Sequence, residues 1–399
     1  MFQTSTADAR EVTKMKFNGY LRENGTVGTR NHILVLSCVS CANHVSRKIA
    51  DAVDGAFCFC HDTGCTQVGC DLEQTQRTLE GAGKNPNAAA VIVVSLGCEG
   101  VSAEKIVEAV KQTGKPVELV RIQSCGGTTK AVEKGIETAK AFRAEANKLK
   151  KTEADMSKLV LGLECGGSDF TSGIVSNPLV GYVADKVVKL GGTVILSETT
   201  EMIGAEHLLA ARAKSPNVAK KLLDAVANVE QQAKNMNEDL RGSQPTPGNI
   251  EGGLSTIEEK SLGCLAKAGS TAVNEMLEYA QIPSEKGLVI MDTPGYDVES
   301  VTGMIAGGSQ IVLFTTGRGT PVGSPLAPVI KITGNAQTAQ IMAENIDFDA
   351  SPVLEGKETL ESAGERLFEL MMNVVNGSLS CAEKLGHCEA AITRKGSSF

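Results

Sequence analysis

Residues Ala88 to Leu96 read Ala-Ala-Ala-Val-Ile-Val-Val-Ser-Leu, an apolar run too short to span a membrane and too uniform to be the half-buried strand of an open sheet. Strands that are apolar on both faces belong to parallel sheets covered by helices on each side. Similar runs at Asn31 to Cys38, Ala56 to His61 and Val117 to Ile122 alternate with helically spaced segments at Val45 to Val53, 71–82 and Ala103 to Lys111. The charged, aperiodic segment Lys148 to Lys158 reads as a surface linker, after which the pattern restarts. Strands are expected at Leu159 to Leu163, Gly192 to Ser197, Leu288 to Met291, Gln310 to Thr315 and Val329 to Ile332. Helices are expected at Leu179 to Lys189, 203–213, 217–237, from Thr256 onward, and at 356–376. The fold class is therefore α/β, with two consecutive Rossmann-like or flavodoxin-like units of mostly parallel sheet covered by helices. Residues 1–18 form a polar lead, 19–150 the first domain, and 158–399 a larger second domain with a C-terminal helix.

Composition narrows the function. A formal net charge of -8 gives no footprint for nucleic acid, and no run of 18 apolar residues is present for a membrane span. Twelve cysteines in 399 residues are too few for a disulfide scaffold, and with no apolar signal core at the start the chain reads as cytoplasmic. Glycine-rich polar clusters follow the strand ends, where ligands bind in open α/β sheets.

Those clusters carry the chemistry. Cys58, Cys60, His61, Cys65 and Cys70 fall in one short stretch without the spacing of a structural zinc site. On a strand Cys58 and Cys60 share a face and His61 points the other way, so only a subset binds one ion; the alternative is buried thiols and a loop-orienting histidine. Cys38 and Cys41 have thioredoxin-like spacing with no supporting feature. The run Glu164-Cys165-Gly166-Gly167-Ser168-Asp169 puts a thiol, a hydroxyl and two carboxylates around a glycine pair that lets backbone amides approach a ligand; a tight turn is the plainer reading. Glu198, Glu201 and Glu206 suit a hard divalent ion or a solvated acidic face. Asp292, Asp297, Arg318 and Lys331 sit around further glycine loops, and the fork of Arg318 matches a substrate carboxylate. Gly317-Arg318-Gly319-Thr320 is not a Walker motif, and no dinucleotide fingerprint follows the early strands.

Taken in order, the motifs Gly28-Thr-Arg-Asn31, His61-x-x-Gly-Cys65, Gly97-Cys-Glu99, Gly162 to Asp169, Gly191 to Glu198, Pro247-Gly-Asn249, Glu258-Glu-Lys-Ser261, Asp292-x-Pro-Gly295 and Thr315 to Pro321 resemble the altronate and galactarate dehydratase family, whose catalytic body is shared with the sulfolactate sulfo-lyase large subunit. The resemblance implies a hydro-lyase that eliminates water from an aldonic or aldaric acid and leaves a 2-keto-3-deoxy acid. The implied cofactor is a divalent metal, Fe2+ or Mn2+. The site set taken from it is His61, Glu99 and Asp169 for catalysis, Arg318, Ser168, Gly166, Gly167, Asn249 and Thr320 for substrate, and Cys65, Cys165, Glu198, Glu201 and Glu206 for the metal. Expected partners are a small hydroxy acid, a separately encoded small N-terminal-domain subunit and further copies of the chain, with neither nucleic acid nor membrane. Two other readings stand beside this one: a sulfo-lyase large subunit releasing sulfite and pyruvate, and a non-catalytic subunit that scaffolds a small partner.

Overall fold

The computed structural model describes residues 15–399, so most of the expected polar lead lies outside the described residues. Strand β1 (Lys16–Leu21) turns back onto β2 (Val27–Gly28), with Tyr20 opposite Gly28. Strands β3 (His32–Ser37), β4 (Ala56–Phe59), β5 (Ala88–Ser95) and β6 (Val117–Arg121) then form a parallel sheet in the order β4-β3-β5-β6. Side chains alternate across it. Ile33, Val35, Ile92 and Val94 pack on helices α1 (Asn43–Asp51) and α4 (Thr128–Ala146), whereas Leu34, Leu36, Val91 and Val93 face α2 (Gly69–Lys84) and α3 (Ala103–Lys111). Burial from both sides explains why Ala88 to Ser95 carries no polar face.

The segment expected to be a linker is partly strand. Strand β7 (Thr152–Asp155) pairs antiparallel with β1, Phe17 lying opposite Ala154, so Lys16 to Asn18 also leave the expected lead and join a three-stranded sheet. The aperiodic charges misled because β7 itself buries no side chain fully; the buried side chains of this sheet, Phe17 and Val27, come from β1 and β2.

Strands β8 (Val160–Cys165), β9 (Thr193–Leu196), β10 (Val273–Leu277), β11 (Gly287–Met291), β12 (Ile311–Thr315), β13 (Val329–Thr333) and β14 (Phe348–Asp349) make a seven-stranded parallel sheet ordered β10-β11-β9-β8-β12-β13-β14. Helices α5 (Asn177–Lys189), α6 (Pro216–Asn235), α7 (Ile257–Leu265), α8 (Asp297–Ala306) and α9 (Leu360–Val375) belong to this part. The short β14 and the edge strand β10, whose Asn274 and Glu275 break the apolar run, were not expected from sequence.

The two sheets share one core. Leu34, Leu36, Leu79 and Ile106 from the first join Ile195, Val289, Val312 and Phe314 from the second, with Met304 and Ile305 of α8 between them. A Cβ on Gly81 of α2 would lie 2.3 Å from the carbonyl oxygen of Ala306, so α2 and α8 meet backbone to backbone. Among the described residues, no helix is long and apolar enough to cross a membrane. The strand order reverses between β3 and β5 in the first sheet and, besides the inverted edge pair β10-β11, between β8 and β12 in the second, and such reversals open a crevice at the carboxyl ends of the strands.

Candidate active site

The crevice at the end of β8 receives three pieces of chain. Strand β8 delivers Glu164 and Cys165. The segment after β9 delivers Ser197, Glu198 and, on a short 3-10 turn, Glu201. Helix α7 and the turn after it bring Lys260, Cys264 and Lys267, spaced to fall on one face. A Cβ on Gly263 would lie 2.9 Å from the Cα of Gly173, which is how closely α7 approaches the π-helical turn Ser172–Ser176 ahead of α5. Single π-turns of this kind are frequent at functional sites.

These side chains interlock. Cys165 Sγ donates to Glu201 Oε2 at 2.8 Å and lies 3.3 Å from Cys264 Sγ, and Cys264 also donates to Glu201. Lys267 Nζ donates to Cys165 Sγ at 2.9 Å and pairs with Glu198. Lys260 Nζ lies 3.0 Å from Glu201 Oε1. Burial alone would raise the Glu201 carboxyl, but Lys260 and Lys267 outweigh it and hold the group down at about 2. The Cys264 hydrogen bond and burial push the Cys165 thiol well up.

Beside this trio Glu164, Glu198 and Asp297 bring their carboxylates together. Glu164 Oε2 accepts from Ser197 Oγ at 2.9 Å and Ser300 Oγ at 2.6 Å, while Oε1 of both Glu164 and Glu198 is buried without a hydrogen-bond partner in this arrangement. Desolvation and the charge of Glu198 push Glu164 far up, and desolvation with Glu198 and Glu201 pushes Asp297 up to about 7. Glu198 has a φ of 67°, a left-handed conformation uncommon outside glycine that persists only where its surroundings enforce it. Its amide donates to Thr293 Oγ1 at 2.6 Å, and its carboxylate accepts from Cys165 N at 3.0 Å.

Two cavities flank the cluster. One, of about 280 Å³, is lined by Ser168, Asp169, Phe170, Lys260 and Cys264. The other, of about 340 Å³, is lined by Thr200, Glu201, Lys260, Gly295 and Tyr296.

The sequence-derived candidates are distributed unevenly over this geometry. Cys165, Glu198 and Glu201 converge. Gly166 lies against them, since a Cβ there would sit 2.2 Å from Asp297 Oδ2. Gly167 accepts from Arg318 N at 2.9 Å, and Ser168 lines the first cavity with its buried hydroxyl unpartnered. Asp169 is spent on the loop, its carboxylate accepting from Thr171 Oγ1 at 2.6 Å and Asn335 Nδ2 at 2.9 Å. Asn249 caps a short helix with Thr246 and donates to Ser168 O at 2.9 Å. Arg318 donates to Gly248 O at 2.7 Å and pairs with Glu251, both partners on that short helix. Thr320 is buried and accepts from Val322 N at 3.4 Å. Glu206 lies outside both ligand groups.

His61, Cys65 and Glu99 gather instead at the carboxyl end of the first sheet. His61 Nε2 donates to Ser37 O at 2.8 Å and Nδ1 accepts from Thr63 Oγ1 at 2.8 Å, a neutral ring with both nitrogens used. Glu99 accepts from Gly97 N at 2.7 Å and from Ser95 Oγ, and Cys65 is exposed. Burial pushes the His61 imidazole down to about 4. The unfolded ring takes up its proton near 6.5, so between these values the unfolded state binds more protons and stability falls as pH drops. The urea midpoint is expected to decline between about pH 6.5 and 4 by the equivalent of about 3 kcal/mol, and less in His61→Asn. A parallel decline in both proteins refutes this assignment.

Two family models cover the chain. Residues 19–147 match the second domain of D-galactarate dehydratase/altronate hydrolase, and residues 156–398 match the C-terminal domain of D-galactarate/altronate dehydratase. The chain belongs to the altronate/galactarate dehydratase family. It is 39% identical to the (2R)-sulfolactate sulfo-lyase subunit beta of Chromohalobacter salexigens, over 96% of this chain and 98% of that one. It is 35% identical to the altronate dehydratase of Bacillus subtilis, covering 95% of this chain and 78% of the relative, and 34% identical to the galactarate dehydratase of Escherichia coli, covering 90% and 73%. Membership in this family supports hydro-lyase chemistry, and Cys165, Glu201 and Cys264 form a cluster that could hold a divalent metal.

Sequence reasoning missed Cys264 and Lys267 and gave no role to Lys260. Their spacing of four and then three residues was the available signal, because helical periodicity carried from α7 into the turn after it places the three polar groups on one face. Gly317 shows how tightly the family's glycine loops are packed, since a Cβ there would lie 2.1 Å from Asp169 Cγ. Gly317→Ala is therefore expected to cost about 1–3 kcal/mol by overpacking. An unchanged thermal midpoint argues against that contact.

Proposed function

We propose that this chain is a metal-dependent lyase that dehydrates an aldonic or aldaric acid to a 2-keto-3-deoxy acid. The observation that carries the reading is the buried convergence of Cys165, Glu201 and Cys264 at the strand-order reversal of the large sheet. Two sulfurs and a carboxylate suit a borderline-soft divalent ion such as Fe2+. With both thiols ionised, the trio and Glu198 carry four negative charges against Lys260 and Lys267, an imbalance that a dication offsets. Once bound, the ion supplies Lewis-acid polarisation of the substrate oxygens.

The remaining roles fall to the chain's own groups. Lys260 lines both cavities and presents its ammonium to the substrate carboxylate. Asp297, poised near neutrality, takes the proton next to that carboxylate. Glu164, held neutral, keeps a proton beside Glu198 for the departing hydroxyl. Ser168, whose hydroxyl is free of protein partners, orients a substrate hydroxyl, and Arg318 closes the rim over the loop at Gly248. Asp169, whose carboxylate is taken by loop hydrogen bonds, supports the site's architecture in this reading, and His61 and Glu99 order the loops of the first sheet.

The sulfo-lyase reading is favoured by the 39% identity to a sulfolactate sulfo-lyase subunit beta, and with it comes a second, smaller subunit as partner. Both eliminations begin with the same proton abstraction, so the leaving group distinguishes them. Anaerobically purified protein is expected to hold near-stoichiometric iron or manganese and to convert one sugar acid to a keto-deoxy acid. Sulfite and pyruvate from sulfolactate would replace the first reading with the second. Failure on every acid, metal and partner subunit supplied, would leave the scaffold reading.

A further inference from the structure

The thiols of Cys58 and Cys60 take no part in the site above, yet they are placed for chemistry. Cys58 lies on β4, the edge strand of the first sheet, and Cys60 directly follows that strand, so their side chains share a face. Their sulfurs are 2.8 Å apart, and both residues are half-buried. They open into a cavity of about 620 Å³ between β4, α1 and the C-terminal segment, lined also by Arg47, Asp62, Tyr296 and Cys388. Residues two apart on a strand are separated by about 6.4–6.8 Å at Cα, which lies within the range a disulfide bridges.

We infer that Cys58 and Cys60 are a dithiol site that reacts with low-molecular-weight disulfides of the glutathione class and closes to an intramolecular disulfide. The two sulfurs are not equivalent. Either sulfur can donate across this contact; with Cys58 as the donor, that hydrogen bond and Arg47 beside Cys60 hold the Cys60 thiol below its usual range, and the same bond and burial push Cys58 up. Cys60 is thus the attacking thiolate and Cys58 the resolving thiol. In the first step the Cys60 thiolate attacks one sulfur of the small disulfide, an S–S bond to the reagent forms, and one reagent thiolate leaves and takes a proton. In the second, Cys58 loses its proton and attacks Cys60 of the mixed disulfide, and the second reagent thiol departs. The protein gives up two electrons and two protons, and the reagent receives both. A cavity of several hundred cubic ångströms is of the size that holds a small organic ligand.

The test is oxidation of the whole native chain with graded ratios of oxidised to reduced glutathione, followed by alkylation and peptide mass mapping. The expected product is the peptide containing Cys58 and Cys60, about 2 Da lighter and refractory to alkylation, with no retained glutathione. Cys58→Ser is expected to trap glutathione on Cys60 instead, and Cys388→Ser to leave the product unchanged. Three results would overturn the inference: both thiols staying alkylatable while exposed Cys41 and Cys65 are modified, glutathione persisting on Cys60 in the unsubstituted chain, or a bond from Cys60 to Cys388. Circular dichroism of each variant separates loss of reactivity from loss of fold.

Discussion

Replacing Lys267 by methionine is expected to lower stability by about 3–5 kcal/mol, the largest structural effect of any single side chain in the site. Lys267 is 1% exposed and its partner Glu198 is fully buried. Removing the ammonium leaves that carboxylate without a counter-charge in a place water does not reach, with only the Cys165 amide still donating to it. Glu198 then has to take up a proton or draw in solvent, and either route disturbs the adjoining Glu164 and Cys165. Urea denaturation of the single variant beside the double variant Lys267→Met with Glu198→Gln measures this. The double variant is expected to recover most of the loss, because it removes both charges at once. If the single variant unfolds at the parent's urea concentration, the buried pair is not what holds β8 against the turn after β9.

The second large effect concerns metal. Cys264→Ala is expected to weaken iron binding by at least about 100-fold, since loss of even an outer-shell partner commonly costs 10–100-fold. The substitution is small and the residue is 3% exposed, so the fold is expected to survive with a modest cavity penalty. Metal content after gel filtration and elimination activity are both read, and they are expected to fall together. Cys65→Ser is the matched control: Cys65 is exposed at the other sheet, and its replacement is expected to leave metal content unchanged. Retention of iron by Cys264→Ala with loss by Cys65→Ser would move the metal to the first sheet.

The contrast between Cys65 and Cys264 shows what the sequence made legible. Apolar runs such as Val91 to Val94 announce a parallel sheet because burial on both faces leaves a mark at every position. Cys165, Glu198 and Glu201 were legible for a related reason, as they end or follow such runs and strand ends are where open sheets bind ligands. Cys264 and Lys267 come from α7 and the turn after it; their spacing marks a shared face, but the packing against Gly173 that brings this face to β8 is a long-range contact that the spacing does not reveal. His61 drew attention because imidazole beside thiols is common in metal sites, but its two ring nitrogens are taken by Ser37 and Thr63, partners whose distance in space the spacing does not reveal. β10 escaped because an edge strand with one wet side has no obligation to be apolar.

The chain's final segment closes back on the first sheet. Arg394 and the Lys395 amide both bind Asp71, Thr393 O accepts from Gln74, and the Phe399 amide donates to Thr66 O. Asp71 and Arg394 are separated by 323 residues of sequence. At a synthesis rate of about 5–20 residues per second, Asp71 leaves the ribosome tens of seconds before the arginine that holds it exists. The loop carrying His61 and Cys65 is therefore translated early and fastened last. A nascent chain stalled before Arg394 would carry that loop without its clasp, and is expected to be cut there by proteases sooner than the finished protein.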